Sequence, residues 1–155
     1  MLRQKTDPVL YVTLDLRPSL HELMRAASVA WVTAAHKEKF LAHDWPIHDE
    51  RALSTSLIMT SRSYALVTPD DLAGCAGPIL RALLTGRSVW PGTLHEALAL
   101  AARRYTLKWW NHDFAVVGTR VNGYTPTVAT RGSEIYLGAE RLPPYDPPSH
   151  FMVSF

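Results

Sequence analysis

FAVVGTRVNGYTPTVATRGSEIYL, residues 114 to 137, decides the fold. Asn122-Gly123 separates two runs that alternate with period two, Phe114 to Val121 and Tyr124 to Thr130. Asn-Gly suits a two-residue type I′ turn, because both central residues of that turn need positive φ. Pairing Val121 with Tyr124 places Ala115, Val117, Thr119 and Val121 on one face with Tyr124, Pro126, Val128 and Thr130. A second tight turn at Arg131-Gly132 sets Ile135 and Leu137 opposite Val128 and Pro126, extending the hairpin to a three-stranded meander. Pro126 resists a central position. It cannot donate to a ladder, so the reading requires either a bulge or an edge there.

Working outward, Val9 to Leu16 (VLYVTLDL) is β-branched and aromatic and reads as a strand that Pro18 ends. Ser19 and Glu22 form a capping box opening a helix, with Leu20, Leu23, Ala27, Ala30, Trp31 and Ala34 at helical spacing. That helix is expected to run to about His43, where Pro46 disfavours helix at Trp45. A further helix is expected from about Asp49, and Ser63 to Thr68 as a short strand. Thr68, Pro69 and Asp71 supply the start of a helix carrying Leu72, Ile79, Leu80, Leu83 and Leu84, broken or kinked at Gly77-Pro78 and stopped by Gly86. Thr93 with Glu96 is a second capping box, opening a helix through Leu98, Ala101 and Tyr105. The expected fold is therefore α+β: a small antiparallel sheet, made of the C-terminal hairpin or meander plus an N-terminal strand, packed against three to five helices. Residues 1–141 form a single domain in this reading. Residues 142–155 form a proline-rich, extended C-terminal tail whose Phe151, Met152, Val153 and Phe155 can dock onto the domain or a partner.

Composition narrows the functional classes. The chain has 155 residues, enough to bury a core without staples, and its 47% hydrophobic and 19% charged fractions are globular values. A formal charge of +2 and a pI near 8.8 are too mild to mark a polyanion binder unless the cations gather on one face. Cys75 is the single cysteine, so no intramolecular disulfide forms, and Met1 to Pro8 lacks the apolar run of a signal peptide. No apolar stretch approaches the ~20 residues needed to cross a bilayer. A cytoplasmic, soluble protein with no membrane contact is expected.

His36 to Glu50 (HKEKFLAHDWPIHDE) holds three of the seven histidines beside Asp44, Asp49 and Glu50. A metal site needs such ligands close together. His36 and His43 lie two turns apart on a continuous helix, roughly 10 Å along the axis, too far to chelate together. That leaves His43, His48 and Asp49, gathered by the turn at Pro46, as the candidate metal or His/acid hydrolase group; the competing reading is a set of solvated side chains at a helix end. Histidine also precedes an acid at His21-Glu22, His95-Glu96 and His112-Asp113, but sequence neighbours do not face each other in regular structure, so adjacency makes no catalytic pair. Cys75 sits among Leu72, Ala73, Gly74 and Ala76 as a small core thiol. Ser54-Thr55-Ser56 is similar to the Ser-Thr-Ser element of the arginine-serine-glutamate ADP-ribosyltransferases, with Arg17 upstream and Glu134 downstream. The Glu-x-Glu pattern of that family is absent, since Ser133-Glu134-Ile135-Tyr136 offers one acid.

Two binding readings remain. Arg103, Arg104, Tyr105, Lys108, Trp109 and Trp110 interleave cations with aromatics, a pattern able to neutralise phosphates and stack exposed bases; Arg120 and Arg131 could add to it. Cations in a last helical turn and tryptophans in a core account for the same residues. Leu142-Pro143-Pro144-Tyr145 is similar to the Leu-Pro-x-Tyr ligands of WW domains. Trp109, Trp110, Pro143, Pro144 and Tyr145 are thus the candidate partner-binding residues. With no nucleotide loop, metal quartet or nucleophile motif, the reading is a protein-binding module, regulatory or inhibitory, acting without a cofactor rather than as an enzyme. Its expected partner is another protein, with nucleic acid or a second copy of the chain as the alternatives.

Overall fold

The computed structural model describes residues 8–49, 59–68, 90–103, 107, 110, 112–141 and 150–155. Its strands are β1 (Leu10–Asp15), β2 (Val29–Ala30), β3 (Met59–Val67), β4 (Trp90–Pro91), β5 (Phe114–Ala115), β6 (Tyr124–Arg131), β7 (Glu134–Arg141) and β8 (Phe151–Ser154). Its helices, among the described residues, are α1 (Leu20–Ala26), α2 (Ala34–Leu41) and α3 (Leu94–Ala102). The expected small antiparallel sheet against three to five helices is overturned. All eight strands join one mixed sheet, curled into a half-barrel, in the order β1-β3-β8-β5-β6-β7-β2 with β4 on β8, and the molecule is mostly β.

Three local events enlarge the sheet. The helix opened by Ser19, whose hydroxyl accepts from the Glu22 amide, stops after seven residues. Ser28 then takes φ 53, and Val29–Ala30 pairs in parallel with Ile135 and Tyr136 of β7. Left-handed backbone at Ser28 cannot continue a helix, and Thr33 restarts one by accepting from the His36 amide. At the other end of the chain, Phe151–Ser154 enters the middle of the sheet, antiparallel to β3 on one edge and shared on the other between β4 and β5. Met152, Val153 and Ser154 are all buried, as expected of a strand covered on both faces.

The Asn122-Gly123 turn forms, with φ of 52 and 80 and a Val121↔Tyr124 bridge. Beyond it the expected register is lost. Phe114 pairs with Val128 and Ala115 with Thr127, three positions out of step, because residues 117–120 leave the ladder. That excursion brings the Gly118 amide to the Gly92 carbonyl at 2.8 Å. A Cβ at Gly118 would lie 2.6 Å from that oxygen and 2.7 Å from the Pro91 oxygen, so only glycine fits this backbone-to-backbone approach. The second turn falls one residue later than expected, at Gly132-Ser133, pairing Ile135 with Thr130 and Leu137 with Val128. The inward faces of β6 and β7 survive, since that change shifts pairing by two, whereas the odd shift of β5 sets Phe114, and not the expected Ala115, on the Val128 face. Pro126 is accommodated without a bulge: its carbonyl accepts from Val116, just past the end of β5. The N–H and C=O of one strand residue point the same way, so its missing donor faces that strand end and not the β7 ladder.

α3 is the centre of the core. Every residue from Leu94 to Leu100 is buried, so the helix is enclosed on all sides, with α1 and β1 packed against it. Leu14, Leu20, Leu23, Leu98, Phe114, Val128 and Met152 complete one continuous cluster.

Candidate functional site

Two places concentrate functional groups: a polar cleft at the start of α3, and the free edge of β1. The cleft, about 190 Å³, is lined by His48, Asp49, Trp90, Thr93, His95 and Arg120 among others. Thr93 caps α3, accepting from the Glu96 amide while its own amide donates to Glu96 Oε1 at 3.2 Å. The Thr93 hydroxyl donates to Asp49 Oδ2 at 2.6 Å and lies 3.0 Å from Glu96 Oε1. Tyr64 donates to the second Glu96 oxygen at 2.6 Å, and Thr119 Oγ1 accepts the Leu94 amide. The Ile47 carbonyl takes both the Leu20 amide, at 2.7 Å, and His95 Nε2, at 3.1 Å. Because a carbonyl only accepts, the His95 proton is assigned to Nε2. Burial holds the His95 imidazole below its ordinary value of 6.5, outweighing the Ile47 carbonyl and Asp49, which act the other way. It is therefore neutral at pH 7.

This is a constellation with the ingredients of acid–base chemistry, yet its hydrogen-bonding capacity is consumed internally. Asp49, Glu96 and His95 are each at most 3% exposed, and their bonds fasten the 42–49 loop and β3 to α3. The space is also below the ~300 Å³ at which ligand pockets usually begin. The cleft is a staple.

The candidate metal group does not assemble. His48 and Asp49 line the cleft, but the His43 ring lies against Tyr124, 4.4 Å between centroids, and Trp45, 5.2 Å. Among the described residues no three His, Cys, Asp or Glu side chains come together to hold an ion. His112 stacks on His150 at 3.9 Å, and Asp113 pairs with Arg131 at 2.8 Å. Arg17 is held by Asp15, which lowers the Asp15 carboxyl chiefly through the side-chain hydrogen bond.

Of the basic and aromatic cluster, Trp110 is 1% exposed, donates Nε1 to the Pro8 carbonyl at 2.8 Å and meets Phe114 edge-on. Arg103 Nη1 donates to the Thr13 carbonyl. Arg104, Tyr105, Lys108, Trp109, Pro143, Pro144 and Tyr145 lie outside the described residues, as do Cys75 and Ser54 to Ser56.

The β1 edge is the feature that sequence reading passed over. Among the described strands β1 ends the sheet, paired on one side, to β3. Ser63 of β3 exchanges both backbone bonds with Phe155, each 2.9 Å, so its N–H and C=O point away from β1. Tyr11 stands opposite Ser63, which makes theirs a pair without hydrogen bonds. The Tyr11 N–H and C=O therefore point out of the sheet edge, as do those of Thr13. Thr13 confirms the parity, since its carbonyl is the one Arg103 reaches. Side chains on this parity face outward: Val9 is 56% and Tyr11 73% exposed, and Phe155, two strands in on the same row, 49%. The available signal was apolar residues on both faces of the Val9 to Leu16 alternation, where one buried face needs only one.

No family model, curated protein or solved structure matches the chain. Among the described residues no helix is long and apolar enough to cross a membrane.

Proposed function

We propose that the protein is an interaction module that captures an extended segment of another protein by strand addition to β1. The observation that carries this reading is the outward-directed backbone of Tyr11, with no strand on that side among the described residues, beside an exposed apolar row. A row of free N–H and C=O groups is matched by another extended backbone, and alternate side-chain contacts supply the selectivity. The scale is modest. A backbone bond contributes about 1 kcal/mol net and a buried aromatic about 2 kcal/mol, against an association cost of at least about 4 kcal/mol. The edge alone thus supports a transient complex, with tighter binding drawn from further contacts on the outer face. The single cysteine supports a reducing, intracellular setting for it.

The experiment compares capture from host lysate by the wild-type chain and by Tyr11→Pro. Proline removes the outward N–H without touching the β3 ladder. A partner bound by the wild type and lost by Tyr11→Pro supports strand addition; a partner held equally by both rejects it. A wild-type dimer in sedimentation that Tyr11→Pro dissolves would identify the added strand as β1 of a second copy.

A further inference from the structure

We propose that the cavity where α1 and α3 end binds a small organic cation with an apolar body, such as an arylalkylamine. It is the roomiest of the described cavities, about 640 Å³, within the range of small-molecule sites. It lies apart from both β1 and the His95 cleft. Its floor is Ala27, Ala101, Ala102, Leu107 and Ile135. Alanines there leave space that larger side chains would fill, so the floor is apolar and open rather than packed.

Among the described lining residues the one formal charge is negative. Ala26 is the last residue of α1 and Ala102 the last of α3, and both line the cavity. The final carbonyls of a helix have no intrahelical partners and carry the negative end of its dipole. Glu134, the first residue of β7, adds a full charge. Tyr136 donates to its Oε2, which orients the carboxylate and leaves Oε1 without a partner among the described residues. Of the described basic residues flanking the lining, Arg103 reaches Thr13, and Arg131, which stands opposite Glu134 across the strand pair, is held by Asp113. Arg25 in the last turn of α1 is exposed and does not line the space. The remaining rim groups, Ser28, Thr130 and Ser133, are hydroxyls that can accept from an ammonium. An anion would find no compensating cation among the described lining residues. A wholly apolar ligand would leave the Glu134 side of the cavity unmatched.

The test is titration of the full chain with 2-phenylethylammonium, 2-phenylethanol and 3-phenylpropionate, followed by backbone amide NMR shifts. The ammonium probe is expected to give saturating shifts at Ala101, Ala102 and Ser133, and the carboxylate none. Glu134→Gln, a change at an exposed position that leaves the fold intact, should weaken the ammonium at least about tenfold and leave the alcohol unchanged. Ala102→Leu should abolish both by filling the floor. Absence of saturation by the ammonium up to about 10 mM, equal binding of carboxylate and ammonium, or an unchanged affinity in Glu134→Gln would each overturn the assignment.

Discussion

At the scale of single residues, the polar groups of the core divide into those that are satisfied and one that is not. His95 is satisfied only while neutral. The unfolded imidazole titrates near 6.5 and burial holds the folded one lower, so above that pH both are neutral and the contribution of His95 is complete. As the pH falls further, the unfolded chain gains a proton that the folded chain refuses, and stability declines until the folded His95 also protonates. Urea midpoints from pH 8 to pH 5 should therefore drop below pH 6.5. His95→Gln should flatten that slope by up to about 1.4 kcal/mol per pH unit, and an unaltered slope would show that another group carries it. Ser154 is the opposite case: its side chain is fully buried and its Oγ has no partner among the described residues. Ser154→Ala removes that desolvated hydroxyl and should leave stability unchanged or raise it by up to about 1 kcal/mol. Thr93→Val, nearly the same in shape, removes the hydroxyl's bond to Asp49 and uncaps α3, and should cost about 1–3 kcal/mol. Equilibrium denaturation of the pair separates a group that is tolerated from one that is used.

At the scale of elements, β1 makes a parity prediction. Leu10 and Val12 stand opposite Tyr64 and Arg62 in the hydrogen-bonded pairs, whereas Tyr11 faces out. Leu10→Pro breaks a ladder bond and should destabilise by about 1–3 kcal/mol; Tyr11→Pro should cost clearly less. Amide exchange in the free protein should be slow at Leu10 and Val12 and fast at Tyr11, and slow exchange at Tyr11 would refute the assignment of the edge. The capping boxes at Ser19 and Thr93 and the turn at Asn122-Gly123 were legible in the sequence because each is a local pattern of residues within a few positions. The pairing beyond that turn was not, since it depends on Gly118 meeting Gly92, a contact between segments 26 residues apart in the sequence. Helical spacing from Leu20 to Ala34 likewise spans both α1 and α2. Periodicity records which residues face inward and is blind to the single left-handed Ser28 that separates the two helices. The site was less legible still. Trp110 carries the residue type of a binding surface but is buried, and only the three-dimensional pairing reveals Tyr11.

At the scale of the whole molecule, the sheet is held together by the last residues to be read. β8 stands between β3 and β5, so β1-β3 reaches β5-β6-β7-β2 only through it, and β4 pairs with it as well. The sequence disguises this role, because Phe151–Ser154 is four residues long and follows a proline-rich stretch, which suggests an appendage. Its burial argues otherwise: Met152 is fully buried, and Val153 is joined to Ala65 on one side and Pro91 on the other. Truncation after His150 would leave two sheet fragments, one of them the two-stranded β1-β3, and two-stranded pairs are marginal in water. It would also open the core, where the loss of Met152 alone costs about 2–5 kcal/mol, a large share of the stability of an ordinary domain. The truncated chain is expected to lose its cooperative thermal transition while Phe155→Ala, at an exposed position, keeps it. If truncation instead preserved a single sharp transition, contacts other than β8 would have to join the two halves of the sheet, and the β1 edge would then belong to a hairpin able to detach and swap. Comparing circular dichroism melts with the oligomeric state of the same sample distinguishes these outcomes, since swapping would yield a dimer that retains its β signal.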